Sequence, residues 1–291
     1  MFDTLWPGGP RFIRDGGAFR LSTDSVLLAH FAASVRAGTI FDLGCGAGVL
    51  TVLLGLSHPK AKLGGIELQP DAAALARRNL AENGMDAGGI RTGDLRAYRR
   101  ELKAGAYDLV VSNPPYFAEG SGYAAPDPAR AAARDERTCS LDELCAAAGW
   151  LCRWGGAFAL VHRPERLGEV FAALGRHGLE PKRLRFVQYA ADRAPSLALI
   201  EARRGGKPGL TVCAPLLLLV ILAVFAIPAN SAYENANYLY LAANTDGASV
   251  ANLLPANLWL RVGIYLCVVL LLFFLLSLLL PWLKKRFAAN A

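Results

Sequence analysis

The 291 residues allow one large domain or a domain with an appendage, and composition divides them: residues 1–211 mix charged, apolar and Gly-rich stretches as a globular α/β protein does, whereas the remainder is dominated by two apolar runs. A net charge of +7 suits a polyanionic partner such as RNA without demanding one. None of the six cysteines has Cys-x-x-Cys spacing and the four histidines form no His-Glu-x-x-His run, so no metal site is expected.

In chain order, Met1-Phe2-Asp3-Thr4-Leu5 lacks the basic and apolar regions of a secretory signal, and the globular part is expected to stay in the cytoplasm. Leu21 to Phe31 places hydroxyl and carboxylate caps before apolar residues at helical spacing and predicts a helix. Thr39 to Leu43 reads as a strand, Gly44 to Gly48 as a tight loop, and Val49 to Gly55 as the start of a helix. A strand at Leu63 to Glu67 and a helix from Asp71 to Asn83, ended by Gly84, come next. A strand near Gly89 to Thr92, a helix near Leu95 to Leu102 and the strand Tyr107 to Val111 continue the alternation, which implies a parallel sheet.

Leu141 to Trp154 reads as a helix stopped by Gly155-Gly156, with Cys145 and Cys152 on one face as core residues. Ala157 to Val161 is a buried strand and Arg166 to His177 a helix. The final strands, near Arg183 to Tyr189 and Ser196 to Ala202, are joined too briefly for a parallel crossover, so the last strand should be antiparallel. The expected fold is a mostly parallel seven-stranded α/β sheet, with residues 1–38 as an N-terminal segment and helix and 39–211 as the main domain. In residues 212–291, apolar runs at about 210–228 and 262–283 predict a two-helix membrane hairpin. The second run would span about 33 Å as a helix, and basic residues flank the pair: Arg203, Arg204 and Lys207 before it, Lys284, Lys285 and Arg286 after it.

Asp42-Leu43-Gly44-Cys45-Gly46-Ala47-Gly48 joins a strand to a helix. Glycines there let a ligand approach the backbone, and the helix start offers amide donors, so Asp42, Gly44, Gly46 and Gly48 are candidate nucleotide-type contacts. Glu67 ends the next strand, where a carboxylate can accept both hydroxyls of a ribose. Asp94, after the third strand, either accepts from an adenine amino group or simply caps the following turn. Asn113-Pro114-Pro115-Tyr116 ends the fourth strand, beside the point where strand order reverses. Asn113 and the Pro114 carbonyl can accept the two hydrogens of a conjugated amine and turn its lone pair towards a methyl donor, and Tyr116 can stack on a base.

With these residues in place, positions 5–211 resemble the bacterial tRNA adenine-N6 methyltransferases that modify the anticodon-loop adenine of valine tRNA. The likeness is carried by Gly17 to Leu28, the Asp42 to Gly48 loop, Gly65-Ile66-Glu67, Ser112 to Phe117, Arg134-Asp135-Glu136 and Val161 to Leu167. It implies a Rossmann-like class I fold, S-adenosyl-L-methionine as cofactor, a tRNA substrate, and Arg20, Thr23 and Asp24 closing over the methionyl end of the cofactor. The middle position of Arg134-Asp135-Glu136 departs from the His more usual in the family, and the tail beyond 211 has no counterpart in it. Asn-Pro-Pro-Tyr leaves other amino nitrogens open, on rRNA, DNA adenine or a protein glutamine, as well as a membrane-anchored chain without catalysis.

Overall fold

The computed structural model describes residues 2–5, 8–13, 22–114, 139–190 and 192–217, all within the first of two compact units, Met1–Ala243. A small antiparallel hairpin, β1 (Phe2–Thr4) with β2 (Arg11–Ile13), opens the chain, and helix α1 (Thr23–Ala32) follows. Then β3 (Thr39–Leu43), β4 (Lys62–Glu67), β5 (Ile90–Thr92), β6 (Tyr107–Ser112) and β7 (Cys152–His162) run parallel. β9 (Leu197–Arg204) lies antiparallel between β7 and β8 (Leu179–Gln188). The resulting order, β5-β4-β3-β6-β7-β9-β8, contains all seven expected strands with the last one antiparallel.

The central strands β3, β6 and β7 are largely buried and apolar because both faces of the sheet are covered there, whereas β8 keeps charged residues such as Lys182 and Arg185. Side chains alternate between two cores: Leu109 and Val111 of β6, with Ala157, Ala159 and Val161 of β7, join the cluster that holds α1, α2 (Val49–Ser57) and part of α3 (Pro70–Glu82). Val110, Phe158 and Leu160 point the other way, into the cluster built with α5 (Leu141–Leu151) and α6 (Leu167–Arg176). A short α4 (Tyr98–Glu101) precedes β6. Each fully buried Leu or Phe here contributes roughly 1.5–3 kcal/mol over its exposed state, so the alternation fixes strand register. At the far end of α1, the Arg183 guanidinium donates to the Phe31 carbonyl and the Ser34 hydroxyl, lies 4.4 Å over the Phe31 ring, and pairs with the buried Glu201.

Two expectations need correction. The helix read as running to Trp154 stops at Leu151, and Cys152 already belongs to β7. Gly155 and Gly156 sit inside that strand, at the register shift against β6 between Tyr107 and Leu109, with Gly155 at φ 73°. A glycine pair makes such a bulge as readily as it ends a helix. Cys145 and Cys152 are both fully buried in the same core, but from a helix and a strand.

The apolar run at 210–228 begins as strand. β10 (Thr211–Val212) and β11 (Leu216–Leu217) pair parallel with the outer edge of β8, and the Cys213 amide donates to the Leu184 carbonyl. Pro215 denies this stretch a helical ladder, and β8 offers it unpaired backbone groups. The expected first span, 210–228, is therefore not one continuous helix, and its remainder, 218–228, lies outside the described residues. The second run, 262–283, lies outside the described residues; among these, no helix is long and apolar enough to cross a membrane. The hairpin β1–β2 is an addition that the sequence did not announce, since three-residue strands show no period.

Candidate active site

Chain order reverses between β3 and β6, and ligands of open α/β sheets lie above such a point, beyond the carboxyl ends of the strands. The Gly-rich loop leaves β3 there. It is hooked onto β4 by the Gly44 and Cys45 amides, which both donate to the Ile66 carbonyl at 2.9 and 3.1 Å. Gly44, Gly46 and Gly48 all have positive φ, at 73°, 52° and 80°. Two of them differ in what surrounds them. A Cβ on Gly44 would meet nothing within 4 Å, so the space above the loop is open to a ligand, whereas one on Gly48 would stand 3.1 Å from Ala76 and Leu80 of α3.

Glu67 ends β4 and faces this loop. One carboxylate oxygen accepts from the Gly46 amide and the other from the Gln69 amide, both at 2.9 Å. Each oxygen keeps a further lone pair for a hydroxyl. Asp42 is only 1% exposed and accepts from the Thr51 hydroxyl of α2 at 2.7 Å, so its side chain turns to the helix under the loop and not outward. Burial pushes its carboxyl up to about 7; the Thr51 hydrogen bond opposes this and the Glu67 charge adds to it. Asp94, after β5, caps a short 3-10 turn (Leu95–Ala97) by accepting from the Arg96 amide, and its carboxylate pairs with the Arg96 guanidinium at 2.5 Å. That hydrogen-bonded pairing holds the Asp94 carboxyl below its usual range. Asp94 thus caps the turn at the same rim as the Gly loop, and its carboxylate retains acceptor capacity beyond the cap.

Asn113 and Pro114 follow β6, which lies directly beside β3 with Asp42 opposite Val111. The Ser112 hydroxyl donates to the Leu43 carbonyl at 2.8 Å and ties the two strand ends together. The Asn113 amide nitrogen donates to the Ser25 hydroxyl at 3.0 Å, which brings the first turn of α1, with half-buried Thr23 and Asp24, to the same rim. Arg20, Pro115, Tyr116 and Arg134-Asp135-Glu136 lie outside the described residues.

Two carboxamides that the sequence did not single out, Asn79 of α3 and Asn83 at its C-cap, tie the loop and the N-terminal hairpin to this helix. Fully buried Asn79 donates to the Ala47 carbonyl and accepts from the Ile13 amide, both at 2.8 Å, bridging the Gly-rich loop and β2. One turn on, Asn83 accepts from the Arg11 amide and donates to its carbonyl, completing the grip on the hairpin. Their i, i+4 spacing with two polar carboxamides was the available signal.

An adenosyl-type ligand laid over the open loop would have Glu67 on one side and Asn113 on the other, which is the layout of a class I S-adenosylmethionine-dependent methyltransferase. Residues 20–127 match the family model described as "Methyltransferase small domain". The chain belongs to the tRNA1(Val) (adenine(37)-N6)-methyltransferase family. It is 35% identical over 195 residues to that enzyme of Porphyromonas gingivalis, covering 65% of this chain and 76% of the relative. The Cronobacter sakazakii enzyme is 31% identical over 207 residues, covering 70% and 82%. The crystal structure of a predicted O-methyltransferase from Agrobacterium tumefaciens shares the fold, with a TM-score of 0.56 at 23% identity over 74% of this chain and 97% of that one.

Proposed function

We propose that the protein transfers a methyl group from S-adenosyl-L-methionine to the exocyclic N6 of the adenine at position 37 of tRNA1(Val), the reaction named for its relatives. The observation that carries this reading is the adjacency of β3 and β6: a loop with room for a nucleotide-type cofactor and an Asn-Pro corner leave neighbouring strands at one rim. The residues fit the cofactor, since Gly44 leaves open space and Glu67 retains acceptor capacity towards ribose hydroxyls. When bound, S-adenosylmethionine supplies a sulfonium-activated methyl group, which carries its own driving force.

The rest falls to the chain. The amine of adenine is a poor nucleophile because its lone pair is delocalised into the ring. Asn113 Oδ1 and the Pro114 carbonyl accept its two hydrogens, draw the nitrogen towards tetrahedral geometry and aim the lone pair at the donor, a preference realised more fully in the transition state than in the ground state. Tyr116 stacks on the extruded base. Arg20, Thr23 and Asp24 close over the methionyl end of the cofactor, Asp94 accepts from its adenine, and Asp42 supports the loop through Thr51.

The test is incubation with labelled cofactor and total tRNA from a strain lacking the modification, followed by nucleoside mass spectrometry. N6-methyladenosine in valine tRNA is expected; label only in rRNA, DNA or protein glutamine supplied in parallel would overturn the substrate.

A further inference from the structure

We propose that Arg185 of β8 and His30 of α1 form a contact for a backbone phosphate of the nucleic-acid substrate, beside the base that is methylated. The inference deepens the function proposed above and rests on it.

Arg183 and Arg185 stand two positions apart on β8, so their side chains leave the same face of the sheet. Strand pairing gives the side: Arg185 is opposite Leu199, which belongs to the core that holds α1, whereas Leu184 and Ile200 belong to the other core. The two guanidiniums differ in their company. Arg183 pairs with buried Glu201 and donates to Ser34 and the Phe31 carbonyl at the end of α1. Arg185 is only partly exposed, has no hydrogen bond or ion pair among the described residues, and its Nε is shut off from water without an acceptor. Burying a donor of a permanent cation with nothing to receive it costs stability, so this guanidinium is matched to an anion that arrives from outside the chain.

Neighbouring groups supply no such anion. His30 is the titratable group of α1 close enough to feel Arg185. Desolvation, and after it the Arg185 charge, hold its imidazole below the usual range, which leaves an uncharged donor at neutral pH. Glu201 is taken by Arg183 and Arg203, at 2.7 and 2.8 Å. Asp24 lies six residues before His30, about 9 Å along the helix. Ser25, bonded to Asn113 at the acceptor corner, lies five residues before His30, about 7.5 Å along α1. Arg185 and His30 therefore flank the corner that takes the base, and an extruded base carries a phosphate on either side. A guanidinium presents its donors in a planar fork that fits two phosphate oxygens, the imidazole adds another, and the net charge of +7 favours the approach of a polyanion.

Initial rates of methylation against tRNA concentration, at salt from about 50 to 200 mM, give KM, kcat and the salt slope. Cofactor affinity comes from calorimetry and stability from thermal melting, for wild type, Arg185→Leu, Arg185→Lys and His30→Glu. Arg185→Leu should raise KM for tRNA about 10- to 30-fold, with kcat and cofactor affinity within about two-fold, and flatten the slope of log KM against log salt by about 0.7, one phosphate contact. Its melting temperature should hold or rise, because an unpaired guanidinium has gone. Arg185→Lys, a charge without the fork, should fall between. His30→Glu sets a carboxylate beside Arg185 from an exposed helix position, where it competes with phosphate, and should raise KM about 10-fold without loss of stability. Unchanged KM and salt slope in Arg185→Leu, or an equal fall in kcat and cofactor affinity, overturns the proposal; should Arg185→Leu melt early, an unchanged KM in His30→Glu overturns it. Wild type that methylates neither RNA nor DNA overturns the functional reading itself, whereas active wild type indifferent to both substitutions overturns this inference alone.

Discussion

Asn79→Ala tests whether the cofactor loop is held from below by α3. The carboxamide is fully buried and makes two bonds of 2.8 Å, to the Ala47 carbonyl and from the Ile13 amide. Ala47 is 5% exposed, so its carbonyl would be left without this donor where water scarcely reaches, at roughly 1–3 kcal/mol; the half-buried Ile13 amide can recruit water and loses about 0.5–1.5 kcal/mol. Together the variant should lose about 2–4 kcal/mol in urea unfolding followed by circular dichroism. Because the same bond shapes the loop, cofactor affinity should fall about 5- to 50-fold in calorimetry under conditions where the variant is fully folded. A loss below about 0.5 kcal/mol with unchanged affinity would refute the reasoning, since it would mean that neither backbone group depends on Asn79.

Gly44→Ala and Gly48→Ala both strain a positive φ, 73° and 80°, and should lower the melting temperature, Gly48→Ala the more because its methyl group also crowds Ala76 and Leu80. Gly44→Ala in addition places a methyl group in the open ligand space and should weaken cofactor binding at least about 10-fold in calorimetry under conditions where it is folded. Asn113→Ala should abolish methyl transfer to tRNA with cofactor affinity nearly unchanged; comparable loss of both would show that its role is misassigned. Asp42, pushed up to about 7 by burial, keeps its proton in the folded chain between about pH 4 and 7 while the unfolded chain releases it. The stability it contributes is thus full below about pH 4 and is lost as pH rises to 7, by up to about 4 kcal/mol, and Asp42→Asn should remove that slope. The wild-type-minus-variant curve isolates it from His162, which burial holds near 4 and which slopes the opposite way. Ending the chain after Leu217 should preserve the fold, whereas ending it after Gly209 strips β10 and β11 from β8, exposes the site of buried Leu216 and should cost about 2–3 kcal/mol by thermal melting.

The seven strands and the position of Asn113 were legible because most strands hold an apolar run with Gly, Pro or Asn close behind it, β8 with Lys182, Arg183 and Arg185 being the exception, and because alternation with helices restricts a sheet to few topologies. Helix starts were clearer than helix ends. Ser140 and Glu143 form a capping box that the sequence displays, whereas nothing local distinguishes Cys152 as the last helical residue from Cys152 as the first of a strand. The run after Leu210 misled for a related reason: period cannot separate a buried strand from an apolar helix, and Pro215 was the clue that counted. Ser25, Asn79 and Asn83 were invisible as site residues, since each finds its partner far along the chain, 88 positions away for Ser25 and 66 for Asn79.

The sheet supplies only adjacency, bringing the ends of β3 and β6 side by side. Transfer between a sulfonium and a nitrogen demands more, because a misplacement of about 1 Å can cost about 100-fold in rate. Here the cofactor side is fixed through α3, whose Asn79 grips the loop, and the acceptor side through α1, whose Ser25 meets Asn113. β2, held by Asn79 and Asn83, and α1 both belong to the first 38 residues, so the N-terminal segment is tied to the Gly-rich loop through Asn79 and bonded to Asn113 through Ser25. What distinguishes this site from a generic nucleotide crevice is therefore not the Gly-rich loop but the pair of carboxamides, Asn79 and Asn113, each bonded to a residue of the N-terminal segment.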